Sequence, residues 1–183
     1  MRANWFIAIP IDTRDWHARL PPPPSGTRLF APEDVHLTIA FLGTVSDAGA
    51  EAAWRALEWT LPTLEVTLDR VVPMGSPARF TALSALLGEG RAEVEHAMTL
   101  ARDAPCDAAG ARREQRPAKA HVTLARPSRH ASGHERRAAL AWAEALELGA
   151  PRIRLSRIAL YTWSDQRPAR LFRVVSERAL ETA

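Results

Sequence analysis

Two five-residue stretches of the sequence repeat one pattern: His, an aliphatic residue, Thr, a second aliphatic residue and Ala. The first runs from His36 to Ala40 and the second from His121 to Ala125. Each stretch falls within a predicted strand, where successive side chains point to opposite faces, so the His, Thr and Ala of each share one face. The aliphatic residues then anchor the strand to a core, and the polar face is left for a ligand.

Two imidazoles and two hydroxyls on neighbouring strands suit acid–base chemistry on a phosphate. Imidazole titrates near neutral pH, so one His can donate a proton while the other accepts one. A Thr hydroxyl on a stiff, β-branched side chain can donate to a phosphoryl oxygen. In-line cleavage of a phosphodiester needs a base, an acid and donors to the remaining oxygens. We therefore predict His36 and His121 as the acid–base pair, with Thr38 and Thr123 binding the phosphate.

The same residues admit other interpretations. A single His-x-Thr in a strand is more often a hydrogen-bonded structural pair, and only the matched repetition favours a site. His36 and His121 could instead be metal ligands. Zinc or iron would need further donors, however, and neither stretch carries Cys, Asp or Glu on its polar face. The other four histidines have no matching partner, and we predict that they lie on the surface. They are His17, His96, His130 and His134.

The elements that must position the two stretches can be read from apolar periodicity and turn residues. Strands and helices are interspersed, and several neighbouring strands are joined by turns too short for parallel crossovers, so we predict an α+β fold with mixed or antiparallel sheets. Ser46 is predicted to cap a helix, and 107–119 is predicted to be a surface loop. The predicted strands are 4–9, 35–42, 64–72, 79–87, 120–126, 153–163 and 171–175, and the other predicted helices are 12–20, 90–104 and 134–148.

Length and composition limit the classes of protein. The chain has 183 residues, of which 46% are hydrophobic and 25% charged, and this is typical of a globular domain with its own core. The single cysteine, Cys106, cannot form an internal disulfide, which favours a reducing cytoplasm. We expect no membrane association, because no apolar run is long enough to span a bilayer and 5–9 is too short for a secretory signal.

The basic residues are almost all arginines, since Lys119 is the only lysine among 24 basic side chains. Guanidinium groups suit phosphate, so an anionic substrate is one interpretation. A general preference for Arg codons is the other. The net charge of +3 does not decide between them.

At the two repeated stretches the sequence resembles the two-histidine (2H) phosphoesterase superfamily, which is defined by a duplicated His-x-Thr-x motif. Within it the sequence is most similar to the bacterial and archaeal RNA 2′,3′-cyclic phosphodiesterases, also called 2′-5′ RNA ligases. The likeness includes the Phe-Leu-Gly at 41–43 after the first motif and Arg126 after the second. It implies that 1–183 is a single bilobal catalytic domain with pseudo-twofold symmetry, in which two mostly antiparallel sheets flanked by helices surround a central cleft.

The resemblance also implies an activity. It predicts hydrolysis of an RNA 2′,3′-cyclic phosphate to a 2′-phosphate, with His36 as proton donor to the leaving 3′ oxygen and His121 as proton acceptor from water. Thr38 and Thr123 would hold the phosphate. The expected partner is RNA with a cyclic phosphate end, or a cyclic nucleotide, and the expected protein is a monomer without metal or cofactor. Members of the family can also join RNA halves weakly by the reverse reaction.

Arg126 matches an arginine that commonly follows the second motif and could neutralise the phosphate. Strand alternation argues against this role, because five residues after His121 the side chain should face the core with Val122 and Leu124. Pro127 ends the strand and can break that alternation.

Two other functions stay open from the sequence. One is a non-catalytic RNA-binding module, and the other is a 2H phosphodiesterase that acts on a 2′-5′ oligonucleotide or on an ADP-ribose cyclic phosphate.

Overall fold

The computed structural model describes residues 3–76, 79–166 and 169–182. Within these ranges the chain forms nine strands, four α-helices and two 3₁₀ turns. The strands are β1 (Trp5–Pro10), β2 (Thr27–Leu29), β3 (His36–Gly43), β4 (Leu64–Met74), β5 (Ala82–Leu87), β6 (His121–Pro127), β7 (Arg152–Leu155), β8 (Arg157–Trp163) and β9 (Phe172–Ala179). The helices are α1 (Asp47–Ala56), α2 (Arg91–Ala101), α3 (Asp103–Ala108) and α4 (Gly133–Glu144), and the 3₁₀ turns are His17–Arg19 and Pro32–Asp34.

The described strands pair antiparallel throughout, which confirms the predicted α+β class. Their order is β7-β4-β5-β6-β3-β1-β8-β9, and β2 also pairs with β6. The two predicted sheets are joined into one nine-stranded sheet, whose halves β7-β4-β5-β6 and β3-β1-β8-β9 are connected by one residue pair, Leu37 with Val122. These two residues occupy the same place in the two repeats, directly after the His. A local twofold axis therefore passes through this pair.

One hydrophobic core joins the helices to the sheet. It includes the aliphatic residues of both repeats, Leu37, Ile39, Val122 and Leu124, each fully or almost fully buried. The helix α1 begins at the predicted cap, Ser46, and α4 begins at Ser132, a cap that the sequence analysis did not name. Ser46 Oγ accepts a hydrogen bond from Gly49 N at 3.1 Å at the start of α1, and Ser132 begins α4 with a complete capping box.

Besides β2, which the sequence analysis did not predict, and shifted ends elsewhere, two elements in the second half of the chain differ from the prediction. The predicted helix 90–104 ends at Ala101, and α3 follows, extending into the predicted loop. Pro105 fits in α3 because it lies in the first helical turn, where backbone N–H groups have no intrahelical acceptor. The predicted strand 153–163 is two strands, β7 and β8, which pair with opposite halves of the sheet.

The prediction that His17 lies on the surface is wrong. The predicted helix 12–20 is only the turn His17–Arg19, and it holds the imidazole in the interior. His17 Nε2 lies 3.0 Å from the carbonyl oxygen of Phe30, and burial lowers the pKa of this ring. The other three histidines without partners, His96, His130 and His134, are exposed as predicted.

Among the described residues, no helix combines the length and the apolar character that crossing a bilayer requires.

Candidate active site

The two motif histidines are presented in the same way by the two halves of the fold. His36 is the first residue of β3 and His121 is the first residue of β6. In each case the ring Nδ1 lies 2.6 Å from the carbonyl oxygen two residues earlier, Asp34 for the first and Lys119 for the second. A carbonyl can only accept, so Nδ1 carries the hydrogen in both rings. The other nitrogen, Nε2, is left for chemistry in each.

The surroundings of the two rings differ. His36 is 8% exposed and stacks on Phe6, with ring centroids 4.8 Å apart, and on Tyr161 at 5.6 Å. Phe172 meets it edge-on at 5.3 Å. Burial among these aromatic rings lowers the pKa of His36 to about 4, and the nearby Arg126 guanidinium acts in the same direction.

His121 is partly exposed and has charged neighbours in place of aromatic ones. Burial is the main cause that lowers its pKa, and the positive charges of Lys119, Arg126 and Arg116 lower the pKa further. The two histidines also repel each other when charged, and this contributes to the low pKa of His36. An anion bound between the rings would counteract every one of these charge effects.

The two motif threonines lie beside the histidines on the same face. Because Leu37 pairs with Val122 in an antiparallel register, His36 is placed next to Thr123 and Thr38 next to His121. The structure thus brings together the four residues that the sequence predicted. Thr123 has an additional partner, since its Oγ1 lies 3.2 Å from the Oγ of the fully buried Ser84. The residue paired with Thr38 at the equivalent place is Ala8, which offers no such bond.

A β-bulge occurs at the same position in both repeats. In β3 the pairing with β1 passes from Ala40 to Thr38 and skips Ile39, and in β6 the pairing with β5 passes from Ala125 to Thr123 and skips Leu124. A bulge inserts one residue and reverses the faces beyond it.

Because of the bulges, the fifth residue after each histidine projects into the cleft. These residues are Phe41, which is 58% exposed, and Arg126, which is also exposed. Strand alternation predicted that Arg126 faces the core. The bulge at Leu124 overturns this argument and places Arg126 beside both histidines, 5.4 Å from the ring of Phe30.

The cleft has two compartments. The His121 compartment has a volume of about 940 Å³ and contains His121 and Thr123. The His36 compartment has a volume of about 710 Å³ and contains His36. Thr38, Phe41 and Arg126 line both and so mark the boundary at which a reacting group would sit.

Asp34 is a site residue that the sequence analysis missed. Its carboxylate is fully buried and accepts hydrogen bonds from Leu171 N at 2.8 Å and Phe172 N at 3.0 Å. Its carbonyl oxygen binds the Nδ1 of His36. Asp34 therefore fixes the His36 ring and the aromatic residue that packs against it. The hydrogen-bond partners of the carboxylate lie about 137 positions away in the sequence, so no local sequence pattern predicts this contact.

The described residues contain no group of three or more His, Cys, Asp and Glu side chains arranged to hold a metal ion.

Comparison with known proteins gives matches to solved structures. A crystal structure of a phosphoesterase matches with a TM-score of 0.67 at 23% identity, over 100% of both chains. E. coli LigT complexed with 3′-AMP matches with a TM-score of 0.66 at 23% identity, over 98% of this chain and 99% of LigT. TT0787 of Thermus thermophilus matches with a TM-score of 0.68 at 17% identity, over 98% of each chain.

Sequence comparison alone gives no match, either to a family model or to a curated protein. The structural matches are nevertheless complete along the chain, and they include the sheet that carries both repeats. The chain therefore has the fold of LigT and these other structures, which is the 2H phosphoesterase fold that the sequence resemblance predicts.

Proposed function

We propose that this protein is a metal-independent phosphodiesterase that hydrolyses the 2′,3′-cyclic phosphate ends of RNA, or cyclic nucleotides, to 2′-phosphates. The observation that carries the proposal is the matched presentation of two imidazoles, each with Nδ1 held at 2.6 Å by a carbonyl and Nε2 left free for proton transfer. Two such groups on either side of one phosphate supply both an acid and a base.

The proposed reaction follows the geometry of the cleft. Thr38, Thr123 and Arg126 bind the phosphate oxygens. His121 Nε2 takes a proton from a water molecule, whose oxygen forms the new bond to phosphorus. The bond from phosphorus to O3′ breaks on the opposite side, and His36 Nε2–H gives its proton to O3′. Solvent returns the two histidines to their starting states. Each proton transfer contributes about 10² to 10⁴ in rate.

The donor role of His36 carries a condition. A pKa of about 4 leaves the ring neutral at pH 7 in the free protein. Substrate binding must therefore raise the pKa of His36 so that the ring takes up a proton. The anionic phosphate does this, because an opposite charge next to a buried imidazole favours its charged form. Substrate binding thus charges the acid just when it is needed.

The His36 compartment supports a nucleotide as the bound group. Phe30, Phe41 and Phe172 line it together with Arg126, and the described lining residues include no carboxylate. Aromatic faces and guanidinium groups stack on bases, and a cationic wall favours the phosphate. The fold is also shared with LigT, which binds 3′-AMP and phosphate in its crystal structures.

The decisive experiment uses a 2′,3′-cyclic mononucleotide and identifies the isomer produced. The wild type should release the 2′-phosphate in the presence of EDTA. His36→Ala and His121→Ala should each lose at least about 10²-fold in kcat, whereas His96→Ala, at an exposed position on α2, should match the wild type.

Other results would contradict the proposal. A loss of tenfold or less in kcat would remove that histidine from the mechanism. RNA affinity that falls with salt, without any product, would instead indicate an RNA-binding module. Turnover of a 2′-5′ oligonucleotide or an ADP-ribose cyclic phosphate alone would change the substrate. Loss of activity in EDTA with recovery in zinc would indicate metal chemistry.

A 5′-hydroxyl can take the place of the attacking water, because the same base can accept its proton. The bond from phosphorus to O3′ then breaks as the bond to O5′ forms, and the product is a 2′-5′ linkage, which corresponds to a weak ligation.

A further inference from the structure

The His121 compartment carries more positive charge than one phosphate requires. Its described lining includes two carboxylates, Glu95 and Glu114. The basic side chains in the same lining number six. They are Arg79, Arg91, Arg102, Arg116, Lys119 and Arg126.

Both carboxylates are already paired within the lining. Glu95 Oε1 accepts from Arg91 Nε at 2.8 Å and from the backbone N of Ala120 at 3.0 Å. Glu114 Oε1 accepts from Arg116 Nε at 3.0 Å. Neither carboxylate is therefore left to neutralise the remaining cations of the compartment.

Arg102 is the most constrained of these remaining cations. Its side chain is 15% exposed, and its Nε is buried without a hydrogen-bond partner among the described residues. The nearest carboxylate oxygen, on Asp103, is 4.0 Å from Nε, beyond hydrogen-bond length. A buried donor without a partner costs free energy, and an anion bound against the exposed part of the same side chain would offset this cost by electrostatic attraction to the guanidinium.

The position of the compartment indicates what this ligand is. In an in-line displacement the entering and leaving groups lie on opposite sides of phosphorus. With the nucleoside in the His36 compartment, the entering group lies in the His121 compartment. That compartment has a volume of about 940 Å³, whereas a water molecule occupies about 30 Å³ of liquid. It has room for much more than the nucleophile of a hydrolysis.

We propose that Arg79, Arg102 and Lys119 form a second phosphate subsite, which binds a phosphate of an oligonucleotide segment on the nucleophile side of the reaction centre. Its placement on that side rests on the proposed function. The subsite is separate from the reacting phosphate, which belongs to Thr38 and Thr123. A substrate with phosphates on both sides of the reaction centre then uses both compartments at once.

The test is a binding titration with the reaction centre already filled. The protein is saturated with 2′-AMP, and a 5′-phosphorylated thymidine dinucleotide is titrated by calorimetry. The probe carries two phosphates but no 2′-hydroxyl, so it cannot form a cyclic phosphate. Arg79→Met and Arg102→Met keep the length of the apolar stem and remove one guanidinium each. Arg137→Met, at an exposed position on α4 outside both compartments, is the matched control.

We expect each of the two subsite variants to bind the probe about tenfold more weakly than the wild type and the control, because each variant lacks one charge-assisted bond. The slope of log affinity against log salt should also become shallower by about 0.7 for each phosphate that the variant no longer neutralises. Turnover of a 2′,3′-cyclic mononucleotide, which has no second phosphate, should not change. If Arg102→Met does not fold, Arg79→Met in its exposed turn decides the question alone.

Two results would overturn the proposal. One is probe affinity that is the same in wild type and both subsite variants. The other is displacement of 2′-AMP by the probe, which would leave only one anion site. Failure of the proposed function is a separate result, seen as a wild type that neither turns over the cyclic mononucleotide nor binds 2′-AMP. In that case the affinity of the probe for wild type and for Arg102→Met is measured without 2′-AMP. Weaker binding by the variant supports the subsite, and equal binding overturns it.

Discussion

The proposed donor role of His36 makes a prediction that can be worked out from the structure. In the free protein burial holds the pKa of His36 at about 4, so the ring is neutral at pH 6. A phosphate charge about 4 Å from the ring contributes ~4 kcal/mol of attraction at an effective dielectric constant of about 20. One pH unit corresponds to about 1.4 kcal/mol, so this attraction is enough to bring the pKa of His36 into the neutral range.

The assay is the ¹⁵N chemical shift of the His36 ring nitrogens, recorded between pH 4 and 8 with and without a saturating 2′,3′-cyclic phosphorothioate, a slowly hydrolysed analogue that keeps the site in its substrate state. We expect the ring to be neutral at pH 6 in the free protein and mostly protonated at the same pH in the complex. The ¹⁵N shifts of His96, an exposed ring on α2, should be the same with and without the ligand at each pH and serve as the internal control.

The opposite outcome has a definite meaning. If His36 stays neutral at pH 6 in the saturated complex while His121 becomes protonated, His121 is the donor and the proposed roles are exchanged. If neither ring takes up a proton, the acid–base mechanism itself is refuted, because no acid is available for the leaving oxygen.

Further predictions concern the residues around the pair. Ser84→Ala removes the 3.2 Å contact to Thr123, and kcat/KM for the cyclic nucleotide should fall about fivefold, the equivalent of about 1 kcal/mol, with an unchanged pH optimum. Asp34→Asn weakens the bonds to the backbone at 171–172 and should lower the free energy of unfolding by about 1.5 to 3 kcal/mol in urea titrations, whereas Asp107→Asn, at an exposed position, should lower it much less. Because the folded pKa of His36 lies below its ordinary value of 6.5, the unfolded chain binds more protons between pH 6.5 and 4, and stability should fall on acidification through this window. His36→Gln should make that fall shallower, and an equal slope in wild type and variant would contradict the burial effect. Dialysis against EDTA should leave turnover unchanged, and a loss of activity would indicate that the reaction depends on a metal ion.

Much of this molecule is predictable because its pattern is duplicated. The alternation in the two repeats indicates the two strands that carry the histidines, and the twofold relation follows from finding the pattern twice. Ser46 marks the start of α1 through ordinary capping chemistry. These features depend on local sequence, and local sequence is sufficient to predict them.

The features that the sequence does not predict depend on contacts between distant parts of the chain. Strict alternation cannot anticipate the bulges at Ile39 and Leu124, because a bulge is decided by the partner strand as much as by its own residues. The sequence therefore supports two opposite placements of Arg126. The burial of His17 escapes prediction for a related reason, since the carbonyl that receives its ring comes from Phe30 in a different segment.

The twofold axis through Leu37 and Val122 means that the scaffold alone cannot tell its two imidazoles apart. The backbone presents both histidines in the same way, so a difference in their roles must come from the surrounding side chains. Aromatic rings enclose His36, whereas positively charged side chains lie near His121. Altering those surroundings, while leaving both imidazoles in place, is then the way to reverse the direction in which protons cross the cleft.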